Sequence, residues 1–303
     1  MKRVTTFVFF FIILGSAVGA MYWSQRHAKA AAVSPSAVLQ MAADAQRDLS
    51  RVPMQFTRIS DEQEIALGNQ FAARYTEQSQ GLSAEERGLE AYVGKIGITL
   101  AARAHRRLPY SFHLVPDHNL INAFSLPGGP VFIGEGMLEL MDTEDELASV
   151  LSHEIEHIDH YHCVERFQIE AKLRKLDLAV VGDLLQIPMD FWRAGYQKDQ
   201  EFEADREGLY LAVKSGYSPY GAVDLFSRFS KLQGEQTVQA VDPAAELSRL
   251  AQASLAGYFR SHPLSSERLA QANILISEEH WEIRTEQRKF HVEYQVHNGQ
   301  YMK

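Results

Sequence analysis

The stretch "DTEDELASVLSHEIEHIDHYHCVE", residues 142–165, decides how this chain is read. Thr143 followed three residues later by Glu146 is a capping-box start for a helix. Leu147, Val150, Leu151, Ile155 and Ile158 then recur at three- and four-residue steps, which makes one apolar face. Four histidines and a run of acids share the segment. So many ionisable groups on a core-seeking helix need something that offsets their desolvation. His153 and His157 are four apart, so their imidazoles stand one turn above each other and can converge on one ion. Glu154 lies beside them, offset around the helix. In such an H-E-x-x-H segment the histidines bind zinc and the glutamate is the base for the water that zinc activates.

A third ligand tests that reading. A histidine six residues beyond His157, after an intervening glycine, is one known option. Here His160 stands where the glycine is needed and Cys163 where the histidine is needed, so that option fails. A glutamate from a later helix is the other. "QKDQEFEADREGLYLAVKSGYSP", residues 197–219, is helical by pattern, ends at Gly216, and leads into a new helix at Ser218-Pro219. Glu201 and Asp205 share one face of it. Glu201 can ligate zinc, and Asp205 can accept a hydrogen bond from a ligand imidazole and fix its tautomer. Gly208 would let this helix approach the first closely.

Outward from these helices, 303 residues suffice for one catalytic domain and an appendage. Hydrophobic residues are 46% and charged residues 23%, a globular balance. The net charge of -9 argues against nucleic acid as a partner. A single cysteine, Cys163, excludes an intrachain disulfide and a C-x-x-C zinc site. At the N-terminus, Lys2 and Arg3 precede an uncharged run from Val4 to Trp23, long enough to span roughly 30 Å as a helix. Residues 1–23 fit either a signal peptide cleaved near Val18-Gly19-Ala20 or a retained anchor with Tyr22 and Trp23 at the interface. Both carry the rest of the chain across a membrane.

Residues 24–52 read as a tether and a first helix over 36–50, residues 53–280 as the catalytic domain, and 281–303 as a tail without an assigned role. Helices are expected over 60–76 and over "SAEERGLEAYVGKIGITLAARA". "YSFHLVPD" alternates as a strand does, and "NAFSLPGGPVFIGEGM" reads as turn, strand, turn. Its Pro127-Gly128-Gly129-Pro130 start suits an edge strand. The fold class is mainly α with a small β-sheet, an α+β arrangement.

"HEIEH" followed by "EFEAD", with "NAFSLPGG" upstream and "SHPLSSERL" downstream, resembles the gluzincin zinc peptidases of family M48, related to HtpX and the CAAX prenyl endopeptidases. The likeness covers roughly residues 55–275 and is nearest the branch of periplasmic soluble-domain peptidases. It implies His153, His157 and Glu201 as ligands of one zinc ion and Glu154 as catalytic base. It places His162 behind the ligands. It brings His262 and Arg268 toward the cleft, as substrate, metal or oxyanion contacts. It makes Asn122 and the strand holding Val131, Phe132 and Ile133 the edge that pairs with an extended substrate. Two features depart from the family. Gln197-Lys198 stand where Ser-Arg is frequent, and the multi-span membrane core of the prenyl endopeptidases is absent, so prenylated substrates are not implied. The expected protein is a metalloendopeptidase that acts on polypeptides, held at or exported across a bacterial inner membrane, with its catalytic domain in the periplasm. The rival readings are a zinc-binding chaperone or adaptor without proteolysis and a metal-free scaffold. The intact Glu154 speaks against the first, since a structural zinc site needs no base.

Overall fold

The computed structural model describes residues 59–78, 81–174, 196–234, 266–281 and 288, all within one unit from Arg58 to Lys303. The run Val4–Trp23, the helix expected over 36–50, His262 and most of the tail lie outside these residues. Among the described residues, no helix is long and apolar enough to cross a membrane. The elements are α1 (Asp61–Gln78), α2 (Ala84–Ala101), β1 (Ser111–Val115), β2 (Ala123–Ser125), β3 (Pro130–Gly134) and α3 (Glu135–Glu139). They continue with α4 (Glu144–Asp159), α5 (His162–Leu173), α6 (Lys198–Lys214), α7 (Tyr220–Gly234) and α8 (Ser266–Glu278). The mainly helical class with a small sheet is thus the observed one.

One expectation about the sheet is corrected. Its strand order is β1-β3-β2, with β3 parallel to β1 and antiparallel to β2. Val131, Phe132 and Ile133 therefore lie on a central strand, and β2 is the outer strand on that side among the described residues. Pro130 misled because it is the first residue of β3, where a missing N–H leaves the ladder intact. Its carbonyl still accepts from the Leu126 N–H at 2.8 Å. The segment from Asn122 onward is strand, turn, strand and short helix. Gly128, at φ +80°, makes the turn tight, and its N–H donates to the buried Glu64 of α1 at 2.8 Å. Arg106 pairs with the same carboxylate and donates to the Ile158 carbonyl at 2.9 Å, so the turn, α1 and the end of α4 share one ionic knot.

Strand alternation divides the core. Ala123, Val131 and Ile133 face one way, with Phe112 and Leu114 of β1, and pack with α2 and α4. Phe124 and Phe132 face the other way, against α1 and α5. Each such large side chain stabilises the fold by about 1.5–3 kcal/mol when fully buried. Ser125 shares the parity of Ala123 and so faces α4.

Helix α4 is enclosed. Every residue from Asp145 to Asp159 except Ser149 is buried. The expected capping box is present: the Thr143 side chain accepts from the Glu146 N–H and the Glu146 carboxylate accepts from the Thr143 N–H. Asp145 accepts from the Ser218 N–H at 2.6 Å, and also from the Arg288 N–H. The Arg288 carbonyl in turn accepts from Glu144 N–H at 2.8 Å, which gives this part of the tail a place at the start of α4. At the other end, Asp159 accepts from the N–H groups of His105 (2.7 Å) and Arg106 (2.6 Å). Tyr161, at φ 63°, then reverses the chain and returns His162 toward His157.

Candidate metal centre

Helix α6 crosses α4 at Gly208. A side-chain Cβ there would stand 3.0 Å from the backbone nitrogen of His153 and 3.1 Å from its Cα, so only glycine lets the helices come this close. The approach sets Glu201 opposite the histidine pair. His153 Nε2 and His157 Nε2 are 3.0 Å apart. One Glu201 oxygen lies 3.5 Å from His153 Nε2 and the other 3.6 Å from His157 Nε2. Ligands held at 2.0–2.1 Å around a tetrahedral ion stand about 3.3 Å from one another. The triangle has that size, its three side chains are buried, and its donors are two imidazole nitrogens and a carboxylate. The residues present fit a divalent metal.

The surroundings carry a matching charge pattern. Asp205 Oδ1 lies 3.0 Å from His153 Nδ1, the nitrogen turned away from the triangle. Burial alone would raise the Asp205 carboxyl; Arg268 and His153 outweigh it and hold it below the usual carboxylate range. Burial likewise disfavours the His153 imidazolium, yet Asp205 and Glu201 lift its pKa to about 10. Without metal, the His153 ring thus keeps a proton between the two carboxylates.

Glu154, which follows His153 in α4, is buried, and its Oε2 accepts from the Ser125 hydroxyl at 2.9 Å. Ser125 was not singled out from the sequence; only its strand parity with Ala123 could have aimed it at α4. Tyr196 was also missed. Its ring stacks on His157 with centroids 3.7 Å apart, and its hydroxyl meets the Cys163 sulfur at 3.1 Å. Burial pushes the Cys163 thiol up to about 12, so it is a neutral packing group. His162 Nδ1 lies 2.9 Å from His157 Nδ1, the ring nitrogen turned away from the triangle.

Arg268 is held by carboxylates of α6. It is 2% exposed, donates to both Asp205 oxygens at 2.5 and 2.6 Å, and stands 3.2 Å from Glu201. Its fork balances two buried carboxylates from behind the ligands. Asn122 is buried just before β2, with its carbonyl accepting from Gly134 N–H at 2.9 Å. A second group, His118 with Glu135 and Glu139, gathers at the surface as an exposed ion pair of 2.7 Å between His118 and Glu139.

Residues 83–275 match peptidase family M48. The beta-barrel assembly-enhancing protease of Yersinia pestis is 32% identical over 180 residues, 53% of this chain and 36% of that protein. The mitochondrial metalloendopeptidase OMA1 of Arabidopsis thaliana is 29% identical over 170 residues, 54% of this chain and 31% of that protein. OMA1 of Schizosaccharomyces pombe is 32% identical over 135 residues, 42% of this chain and 40% of that protein. The chain spans roughly a third of the length of the curated relatives it matches. With the family match running across most of the described elements and through both helices of the metal triangle, the chain belongs to peptidase family M48.

Proposed function

We propose that the chain is a zinc-dependent endopeptidase that cuts exported or membrane-associated polypeptides, chiefly misfolded ones, on the periplasmic side of a bacterial inner membrane. One observation carries the chemistry: a buried triangle of two imidazole nitrogens and a carboxylate, with a further buried carboxylate on Glu154, the residue after His153 in the same helix. His153, His157 and Glu201 would hold the ion. When bound, zinc supplies a Lewis acid that polarises the scissile carbonyl and lowers the pKa of water toward neutrality. Glu154 takes the proton of the attacking water and passes it to the leaving amine. Ser125 holds one oxygen of that carboxylate. Because Ser125 belongs to β2, an outer strand among the described residues, an extended substrate added alongside β2 would run past the base. That role moves here from Val131–Ile133 to Ala123–Ser125.

The setting rests on two supports. The apolar run Val4–Trp23 argues for passage across or anchoring in a membrane. The Yersinia relative is named for β-barrel assembly and the OMA1 proteins are named mitochondrial metalloendopeptidases.

The test is metal analysis paired with a casein digest, with and without chelator. Wild type should carry about one zinc per chain and lose hydrolysis when it is removed. His153→Ala or His157→Ala should hold far less metal. Glu154→Gln should keep its zinc and lose nearly all hydrolysis. A zinc-loaded wild type that leaves unfolded protein intact would instead favour a binding adaptor.

A further inference from the structure

His157 is approached at both ring nitrogens, directly by α6 at one and by way of His162 of α5 at the other. At its Nε2 end stands Glu201 of α6, at 3.6 Å. At its Nδ1 end stands His162, 2.9 Å away nitrogen to nitrogen. The far nitrogen of His162, Nε2, lies 3.1 Å from Glu203, two residues along the same helix α6. His162 is fully buried and the Glu203 side chain is 11% exposed, so water does not screen these contacts. The other ligand, His153, meets a carboxylate directly through Asp205.

The proton inventory allows one arrangement. A neutral imidazole that offers Nε2 to an ion carries its proton on Nδ1. The His157 Nδ1–H must then donate to His162 Nδ1, which has to be bare. His162 therefore carries its proton on Nε2 and donates it to the Glu203 carboxylate. The opposite polarity would put two N–H groups face to face at His157, or turn an N–H toward the ion.

We propose that Glu203 and His162 are positioning residues that lock His157 in the metal-binding tautomer through this relay and raise the affinity of the site for zinc. Glu203 thereby acts on the ion through two imidazoles without touching it, and α6 contributes to the centre twice, once as ligand and once from behind. The inference rests on the ligand set proposed above. It explains why an acid sits at position 203, on a side of α6 that is rotated away from Glu201.

The test measures zinc affinity of the full-length chain in detergent, by competition with a chromophoric chelator, and does not depend on turnover. Loss of a partner behind a ligand imidazole typically weakens metal binding 10- to 100-fold. Glu203→Ala and His162→Ala should both fall in that range, while the thermal midpoint of the chelator-treated protein changes little. His162→Asn sets an amide oxygen near the place of Nδ1, where it can accept from His157, and should recover much of the loss. Glu203→Gln keeps an acceptor without the charge and should fall between wild type and alanine. Wild-type affinity in both alanine variants overturns the relay, as does a His162→Asn variant as weak as His162→Ala. Should the alanine variants fail to fold, Glu203→Gln decides alone, and an unchanged affinity there overturns the proposal. A wild-type chain that binds no zinc overturns the ligand set itself, and the relay with it.

Discussion

His153 is the residue on which the charge balance of the site turns. Without metal its pKa is held at about 10 by Asp205 and Glu201, against an ordinary value of 6.5. A histidine raised in the folded state stabilises the fold fully below its unfolded pKa, and the contribution fades as pH climbs through the folded value. The chelator-treated protein should therefore lose thermal stability steadily between about pH 6.5 and about pH 10, the interval between those two values. Zinc must displace the same proton, so apparent affinity should rise with pH over that interval. A metal-free melting midpoint that is flat or rising there would contradict the assignment of the proton to His153. Arg268 works on the same balance, since its fork meets both Asp205 and Glu201.

Among the elements, α4 and α6 were legible because their information is local. The step of four from His153 to His157, the Thr143–Glu146 box and the pairing of Glu201 with Asp205 are all set within a turn or two of helix. Ser125 and Tyr196 were not legible, because their partners Glu154 and His157 lie 29 and 39 positions away and meet them only after folding. The central place of β3 was hidden for a related reason. Pro130 is compatible with an edge or with a strand start, and only pairing to β1 distinguishes the two. Gly208 was legible and has a measurable consequence. In Gly208→Ala the new methyl would meet the backbone of His153 at about 3 Å, so α6 has to retreat by a few tenths of an ångström. Alanine's helix propensity returns up to about 1 kcal/mol, so the midpoint should fall only modestly. Zinc affinity should fall clearly, because the retreat draws Glu201 away from both imidazoles. Equal affinity in chelator competition would show that the close crossing is not what sets the triangle.

For the whole molecule, an uncharged run stands near the N-terminus and one compact unit runs from Arg58 to Lys303. A reporter fused after Lys303 that is active only outside the cytoplasm is the expected outcome. A cytoplasm-only signal would reverse the topology. The sequence assigns no role to the tail beyond residue 280. Its Arg288 now sits against Asp145, Glu144 and Gly216, so removing residues 282–303 should loosen the start of α4 as well as trim an end. A truncated chain with an unchanged melting midpoint would show that the clip adds nothing to stability.

The enclosure of α4, capped at Thr143 and tied down at Asp159, separates two events that coincide in small zinc-dependent folds. There, the ion and the fold are lost together. Here the helix that carries both histidines is held by apolar layers on its flanks and by side chains at its ends. Stripping the ion should silence the chain without unravelling it, leaving a dormant form that can be recharged. Hydrogen–deuterium exchange would register this directly. The amides of Val150 to Ile158 should remain among the slowest to exchange before and after chelation, and zinc added back should restore hydrolysis without a refolding lag.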